Sequence, residues 1–397
     1  MFITRVMLKH FRSISACDVS LGDLTFLVGR NGAGKSNFLD ALALVADSMN
    51  TTLEHALRDR GGIEEVRRKS SGHPTHMGIR LEFRLSDDTT GFYAFEIETT
   101  NIDDYVVKKE RCHLWFGESS ESASAHFQVE GGQVKSASLD TPPTAMADRL
   151  YLANLSGFAE FRPLVEAFGK MGIYNFNPGQ MREWQPPDAG ERLLRDGANI
   201  ASVLMRLKDR APAAKEKVED YLRHIVPGIV EVFAGRVGNR ESMIFRQDVA
   251  GAKKPWEFYP ASMSEGTLRA LGVLVALFQE SAVPLIGIEE PESALHPAAA
   301  GILLDALRDG SESRQVIVTS HSADLLDNKD IAAEEIKAVV ADRGKTRIGP
   351  IDEASRDTLR EHLFTAGELL RMNQLQLDTS ASSNLPRNLR LFSKTLS

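Results

Sequence analysis

The segment Gly29-Arg-Asn-Gly-Ala-Gly-Lys-Ser36 constrains this chain more than any other. It matches G-x-x-x-x-G-K-[ST], a loop that wraps nucleotide phosphates and needs a strand before it and a helix after it. The pattern supplies both. Leu24-Thr-Phe-Leu-Val28 reads as a short buried strand, and Phe38, Leu39, Leu42, Leu44 and Val45 recur at helical spacing. Glycines are required because successive backbone N–H groups must turn inward around the β-phosphate. Asn31, Gly32, Ala33 and Gly34 are the candidate cradle. Lys35 is placed to neutralise the β and γ oxygens and Ser36 to ligate Mg²⁺, while the helix N-terminus points its positive end at the phosphates. At ordinary residue usage, a chance match in a chain of this length is on the order of one in a hundred.

Composition narrows the remaining choices. The 397 residues allow two or three domains, or one large domain with insertions. Its longest apolar run, around Leu271 to Phe278, is too short to span a membrane, and the N-terminus lacks a signal-peptide core. Cys17 and Cys112 stand far apart without C-x-x-C spacing, which points to a reducing cytoplasm and to neither a disulfide framework nor a zinc site. With 47 Lys+Arg against 55 Asp+Glu, the net charge of −8 leaves nucleic-acid binding to local basic patches.

Along the chain, Phe2 to Leu8 and Ala16 to Leu21 are β-rich, and residues 76 to 137 alternate apolar with polar as an antiparallel sheet with one wet face does. Residues 190 to 225 turn to helical periodicity, broken at Pro212. Strands return near Ile229 to Phe233 and Met243 to Val249. An α/β alternation then follows: a helix over 264–280, a strand at Pro284 to Ile288, a helix after Pro297, a strand at Gln315 to Thr319, a helix near Leu325 and a strand at Glu335 to Val340. The expected class is α/β, a P-loop NTPase split by an inserted antiparallel sheet and a helical subdomain. Its expected divisions are an N-terminal lobe (1–72), the β insertion (73–175), the helical piece (176–228), a C-terminal lobe (229–350), and a C-terminal helix and tail (351–397). The tail, with Ser380-Ala-Ser-Ser-Asn-Leu-Pro386, reads as poorly ordered or docked on a partner.

Leu285-Ile-Gly-Ile-Glu-Glu290 is an apolar strand ending in two carboxylates. Alone it could be a strand running into a solvated acidic turn. Beside a P-loop the two acids acquire separate roles: Glu289 as the magnesium carboxylate, and Glu290 as the group that orients or deprotonates the attacking water. Gln315-Val-Ile-Val-Thr-Ser-His321 is a second such strand. A single His after a strand is usually structural. At the C-terminal edge of a nucleotide-binding sheet, however, His321 becomes a candidate contact to the γ-phosphate.

Together these motifs resemble the ABC-type ATPase heads of the SMC, RecF and OLD group, and most of all the stand-alone OLD-like bacterial ATPases that lack a Toprim nuclease domain. Further segments carry the likeness. Lys9-His-Phe-Arg-Ser13 is similar to the family's opening motif, which makes Arg12 and Ser13 candidate nucleotide contacts. Met263-Ser-Glu-Gly-Thr267 resembles the ABC signature, whose Ser and Gly, here Ser264 and Gly266, touch the γ-phosphate held by the opposite subunit. By itself it could equally cap a helix through Ser264. Glu290-Pro-Glu-Ser-Ala-Leu-His-Pro297 resembles the extended Walker B and D-loop, and Phe364 to Met372 a short C-terminal motif. The glutamine of the Q-loop has no clear counterpart; Gln180 is the nearest candidate.

The resemblance implies a Mg²⁺-dependent ATPase that works as a homodimer or higher oligomer, with two heads sandwiching two ATP. It also implies a separate effector, a nuclease or toxin, in prokaryotic antiphage defence. Alternatives are a RecF-like clamp on DNA and a scaffold that needs ATP but hardly turns it over. Only 76 residues follow His321, without the Asp-x-Asp of a Toprim domain, so cleavage of nucleic acid is not expected of this chain itself. Two basic stretches, Arg58 to Lys69 and Arg206 to Lys217, read either as phosphate contacts or as solvated segments interleaved with acids.

Overall fold

The computed structural model describes residues 1–70, 74–86, 89–101, 104–117, 123–280, 283–378 and 389–393, and it divides into two compact units. Met1–Met171, Ala333–Asp357 and Leu375–Ser397 form the first unit; Gly172–Ala332 and Thr358–Gln374 form the second. The architecture is mixed α/β. None of the helices among the described residues is long and apolar enough to cross a membrane.

The first unit begins with β1 (Phe2–Phe11), β2 (Ile14–Ser20) and β3 (Leu24–Val28), whose five residues are all buried. From β3 the chain turns through the glycine loop into α1 (Lys35–Asn50), then α2 (Leu53–Arg58) and α3 (Ile63–Val66). Five antiparallel strands follow: β4 (His76–Ser86), β5 (Thr89–Asn101), β6 (Asp104–Phe116), β7 (Ser124–Glu130) and β8 (Gln133–Ala137). They do not form a sheet apart. β4 pairs antiparallel with β1, Val6 facing Leu81, so the inserted strands extend the N-terminal sheet sideways. α4 (Tyr151–Asn154) and α5 (Arg162–Gly169) cover one face, with Phe168 edge-on to Phe83 and Phe127 against Tyr151.

In the second unit, β9 (Gly172–Tyr174) leads to α6 (Pro178–Arg182), then α7 (Ile200–Arg210) and α8 (Pro212–Ile225), with Pro212 opening α8. Residues 190–199, expected to be helical, are a loop. Gly190 and Gly197 are left-handed, and Asn199 turns its side chain back to Leu194, Arg192 and Asp188. β10 (Ile229–Val237), β11 (Arg240–Gln247) and β12 (Trp256–Phe258) make a small antiparallel sheet. α9 (Glu265–Phe278), β13 (Leu285–Glu289), α10 (Ala300–Ser311) and β14 (Gln315–Ser320) complete the alternation, β13 lying parallel between β9 and β14. The helix expected near Leu325 is a run of turns, because Ser322 and Asn328 accept the N–H groups of Asp324 and Asp330 and so divert the backbone from a helix.

β15 (Ile336–Asp342) and β16 (Lys345–Pro350) return to the first unit, β15 parallel to β3 and β16 parallel to β2. α11 (Glu353–Arg360) and α12 (Ala366–Arg371) follow, α12 opened by a Thr365–Glu368 capping box. Residues 380–386 of the tail lie outside the described residues. Its segment at 389–393 is docked in the first unit: Leu391 is buried, and Arg80 donates to the carbonyls of Leu391 and Ser393 at 2.9 Å.

Glu110, wholly buried on β6, accepts the Tyr93 hydroxyl at 2.9 Å and the N–H groups of Tyr151 and Leu152 at 2.5 and 2.8 Å, tying α4 to the sheet. Burial outweighs these donors and pushes its pKa up to about 7. The folded value lies above the unfolded one, so the group's contribution is full below the ordinary carboxylate range and is lost as pH rises through about 7. Relative to Glu110→Gln, the native chain is expected to lose on the order of 3 kcal/mol across that interval. Denaturation midpoints of the two proteins measured from acid to mildly alkaline pH check this, and curves that stay parallel contradict it.

Candidate functional site

In the first unit the glycine loop is shaped by backbone that leaves no room for side chains. A Cβ on Gly29 would stand 2.1 Å from the Val339 carbonyl oxygen on β15. Gly34, left-handed at φ 100° and N-cap of α1, would place a Cβ 2.2 Å from Thr346 Oγ1 and 2.9 Å from Ser13 Oγ. Thr346 on β16 is the loop's support: its hydroxyl donates to the Ala33 carbonyl at 2.7 Å and lies 2.7 Å from Ser13 Oγ, which also accepts from Asn37 at 2.6 Å. Lys35 is 4% exposed, and its ammonium donates to the Gly29 carbonyl at 2.9 Å and that of Arg30 at 3.3 Å. Asn31, Gly32 and Ser36 stand exposed at the loop's surface, and Ala33 is buried.

Arg12 is tied to α1 through its Nε. Its Nε donates to Asp40 on α1 at 2.7 Å, and Arg60 donates to the other Asp40 oxygen at 2.9 Å and to Asp47 at 2.6 Å. The rest of that basic stretch is also paired: Arg67 with Glu64, Lys69 with Glu65, Arg58 with His55, and Arg68 on the Ser13 carbonyl. Acids in and near this segment thus pair Arg60, Arg67 and Lys69, and Arg60 is largely buried. In the second stretch, Arg206 bonds Glu280, Lys215 bonds Glu219 and Lys217 bonds Asp309.

The second unit gathers the acids and the histidine. β13 and β14 run in register, Glu289 opposite Thr319, so both chains leave the sheet at the same edge. Glu290 then adopts φ +44°, held by its N–H on the Thr319 carbonyl at 3.1 Å and hydroxyl at 3.2 Å. This aims its carboxylate at His321, whose Nδ1 lies 3.1 Å from Glu290 Oε1. Glu289, with a side chain 11% exposed, meets Arg195 at 3.3 Å. Glu292 is buried, accepts the Ser320 hydroxyl at 2.6 Å through one oxygen, and has no hydrogen-bond partner among the described residues on the other. Burial raises its pKa against the opposing Ser320 bond.

Ser264 caps α9 by accepting the Thr267 N–H at 3.1 Å. At Gly266 a Cβ would stand 2.2 Å from the Ala294 carbonyl, so the D-loop rests directly on the first turn of the signature helix. Gln180 stands exposed on α6. Sequence reading missed Thr346, Asn37, Arg195, Glu292 and Ser320. Each works through a partner distant along the chain, and spacing carries no mark of that.

In the first unit, a glycine cradle that Cβ atoms would fill, a lysine beneath it and an exposed hydroxyl at Ser36 fit the phosphates of a nucleoside triphosphate with Mg²⁺; in the second unit, carboxylates gather at a sheet edge. Residues 24–327 match the family described as "AAA domain, putative AbiEii toxin, Type IV TA system". A stretch of 43 residues is 49% identical to the DNA replication and repair protein RecF of Sodalis glossinidius (strain morsitans), covering 11% of this chain and 12% of that protein. Among solved structures, the chain is similar to an SmcHead bound to the C-winged helix domain of ScpA, with TM-score 0.55, 13% identity, and 90% of this chain and 100% of that one covered. It is also similar to an Smc head domain with an extended coiled coil bound to the C-terminal domain of ScpA, derived from Pyrococcus furiosus (TM-score 0.53, 12% identity, 91% and 99% covered). At such identities the likeness is one of fold, that of an ABC-type ATPase head.

Thr346→Val removes the hydroxyl that supports Ala33 and Ser13 while keeping the side chain's shape. Loss of a buried hydrogen bond predicts about tenfold weaker nucleotide binding, with a stability loss of about 1 kcal/mol. Titration with a fluorescent ATP analogue checks it, and unchanged affinity removes Thr346 from the site.

Proposed function

Since the chain belongs to the family described as "AAA domain, putative AbiEii toxin, Type IV TA system", we propose that it is an ATP-hydrolysing dimeric switch of the SMC and RecF type, nearest the OLD-like branch. The observation that carries this reading is the Glu290–His321 pair at the strand edge, in a chain that also holds a fully shaped glycine loop. Lys35, Gly32 and Gly34 bind the phosphates, and Ser36 and Glu289 would hold Mg²⁺, which would supply charge neutralisation for the phosphate oxygens.

Glu290 accepts a proton from the attacking water, or orients it, and His321 donates a hydrogen bond toward the γ-phosphate. With Nδ1 against the carboxylate, Nε2 is the remaining ring nitrogen for that contact, and it donates to a phosphate oxygen only when both ring nitrogens carry a proton. Ser264 and Gly266 of a second copy complete each site, so hydrolysis and dimer opening are linked.

We read the setting as the cytoplasm of a prokaryote, with the ATPase holding or triggering a separate nuclease or toxin in antiphage defence. The family description, which names a putative toxin, supports a toxin setting. A RecF-like role on DNA is the second reading, favoured by the 43-residue identity.

Lys35→Ala is expected to weaken ATP binding by roughly 10- to 100-fold, from the loss of charge-assisted bonds. Glu290→Gln should bind ATP normally, accumulate as the ATP-bound dimer and turn over about 10²- to 10⁴-fold more slowly. Undiminished hydrolysis by Glu290→Gln sinks the assignment. Turnover stimulated by duplex DNA and suppressed by salt would move the reading to the clamp.

A further inference from the structure

Arg195 sits on the loop at residues 190–199, which no motif marks. Two strand-like bonds fix its backbone at the edge where β9 ends: Asn175 N–H donates to the Arg195 carbonyl at 2.9 Å, and Asn177 N–H to that of Asp196 at 3.0 Å. The loop behind it is pinned as well. Gly197 is left-handed with Met181 and Phe176 against it, and Asn199 bonds Leu194, Arg192 and Asp188. Such a loop presents one side chain in one place, and here Nη2 of Arg195 lies 3.3 Å from Glu289 Oε1.

We propose that Arg195 is a resident counter-cation for Glu289, which magnesium must displace, so that the loop at residues 190–199 sets the metal requirement of the switch. This rests on the ATPase reading of Glu289. Glu289 is largely buried at a sheet end, where an uncompensated charge is costly. The arginine supplies compensation in the metal's absence, and its 3.3 Å pair with Glu289 comes from a side chain that is 47% exposed; pairs formed by such exposed groups are weak enough to yield to a divalent cation. A cavity of about 800 Å³ lies beside it, lined by Asn175, Asn177, Asp196 and Arg195 itself, with polar groups and a carboxylate to receive the displaced guanidinium.

The test uses the full chain and equilibrium binding of a fluorescent ATP analogue over a range of Mg²⁺ concentrations. In Arg195→Gln the Mg²⁺ concentration for half-maximal binding should fall about three- to tenfold, the size expected when a weak competing cation is removed. Binding without Mg²⁺ should be unchanged, and Arg195→Lys should lie between the two. Thermal unfolding with Mg²⁺ alone gives an activity-free readout: the Gln variant should be stabilised at lower Mg²⁺ than the native chain. An unchanged or higher Mg²⁺ requirement in a folded Arg195→Gln protein overturns the proposal while leaving the ATPase reading intact. If the native chain itself binds the nucleotide without any dependence on Mg²⁺, both fall together.

Discussion

A close approach without side chains governs the nucleotide loop. Gly34 lies so near Thr346 and Ser13 that a methyl group would overlap both, and Gly29 passes under a β15 carbonyl at a distance no Cβ tolerates. The loop's curvature is therefore imposed from below by β15 and β16, strands reached more than 300 residues later, as well as by its own glycines. Lys35 donates its ammonium to the loop's own carbonyls, so its positive charge already lies under the cradle. Donors fixed before the ligand arrives need little reorganisation, which is the condition under which backbone N–H groups stabilise phosphate charge most.

In the second unit strain takes the place of close packing. A glutamate at φ +44° sits where L-residues are unfavourable, at a cost of order 1–3 kcal/mol. Thr319 over-determines it by offering both its carbonyl and its hydroxyl to one N–H. The turn that follows is clasped to β14 by Glu292 and Ser320, and its Ala294 carbonyl lies against Gly266. The end of β13, the turn after Glu290, His321 and the first turn of α9 are thus one contiguous set of contacts, in which moving one element moves the others' partners.

What could be read from the residues is what short spacing encodes. The glycine loop, β3 and α1, the parallel strands ending at Glu289 and Ser320, and the break at Pro212 all follow from periodicity and local chemistry. Where reading failed, long-range or side-chain bonds won. Apolar residues around Leu325 suggest a helix, but Ser322 and Asn328 take its backbone donors. The alternating strands suggest a separate inserted sheet, but β1 still has a free edge to offer and β4 takes it. Thr346 and Arg195 carry no local signature, since their importance lies in what the fold brings to them.

Ser264 shows how two competing readings can both hold. As a helix cap it must accept the Thr267 N–H; as a signature serine it must donate a proton outward to phosphate. A hydroxyl has one proton and two acceptor sites, so the roles conflict only if that proton is spent within the cap. Ser264 Oγ and Thr267 Oγ1 lie 2.8 Å apart, and one of the two must donate. If Thr267 does, both acceptor sites of Ser264 are filled by Thr267 and its own proton is left to point away from the helix. Thr267, nearly buried at 5% exposure, has the same option in reverse only by taking that proton from the surface-facing serine. With Thr267 as the donor, the Ser-x-x-Thr spacing holds the serine oxygen fixed while leaving its proton available to a phosphate oxygen.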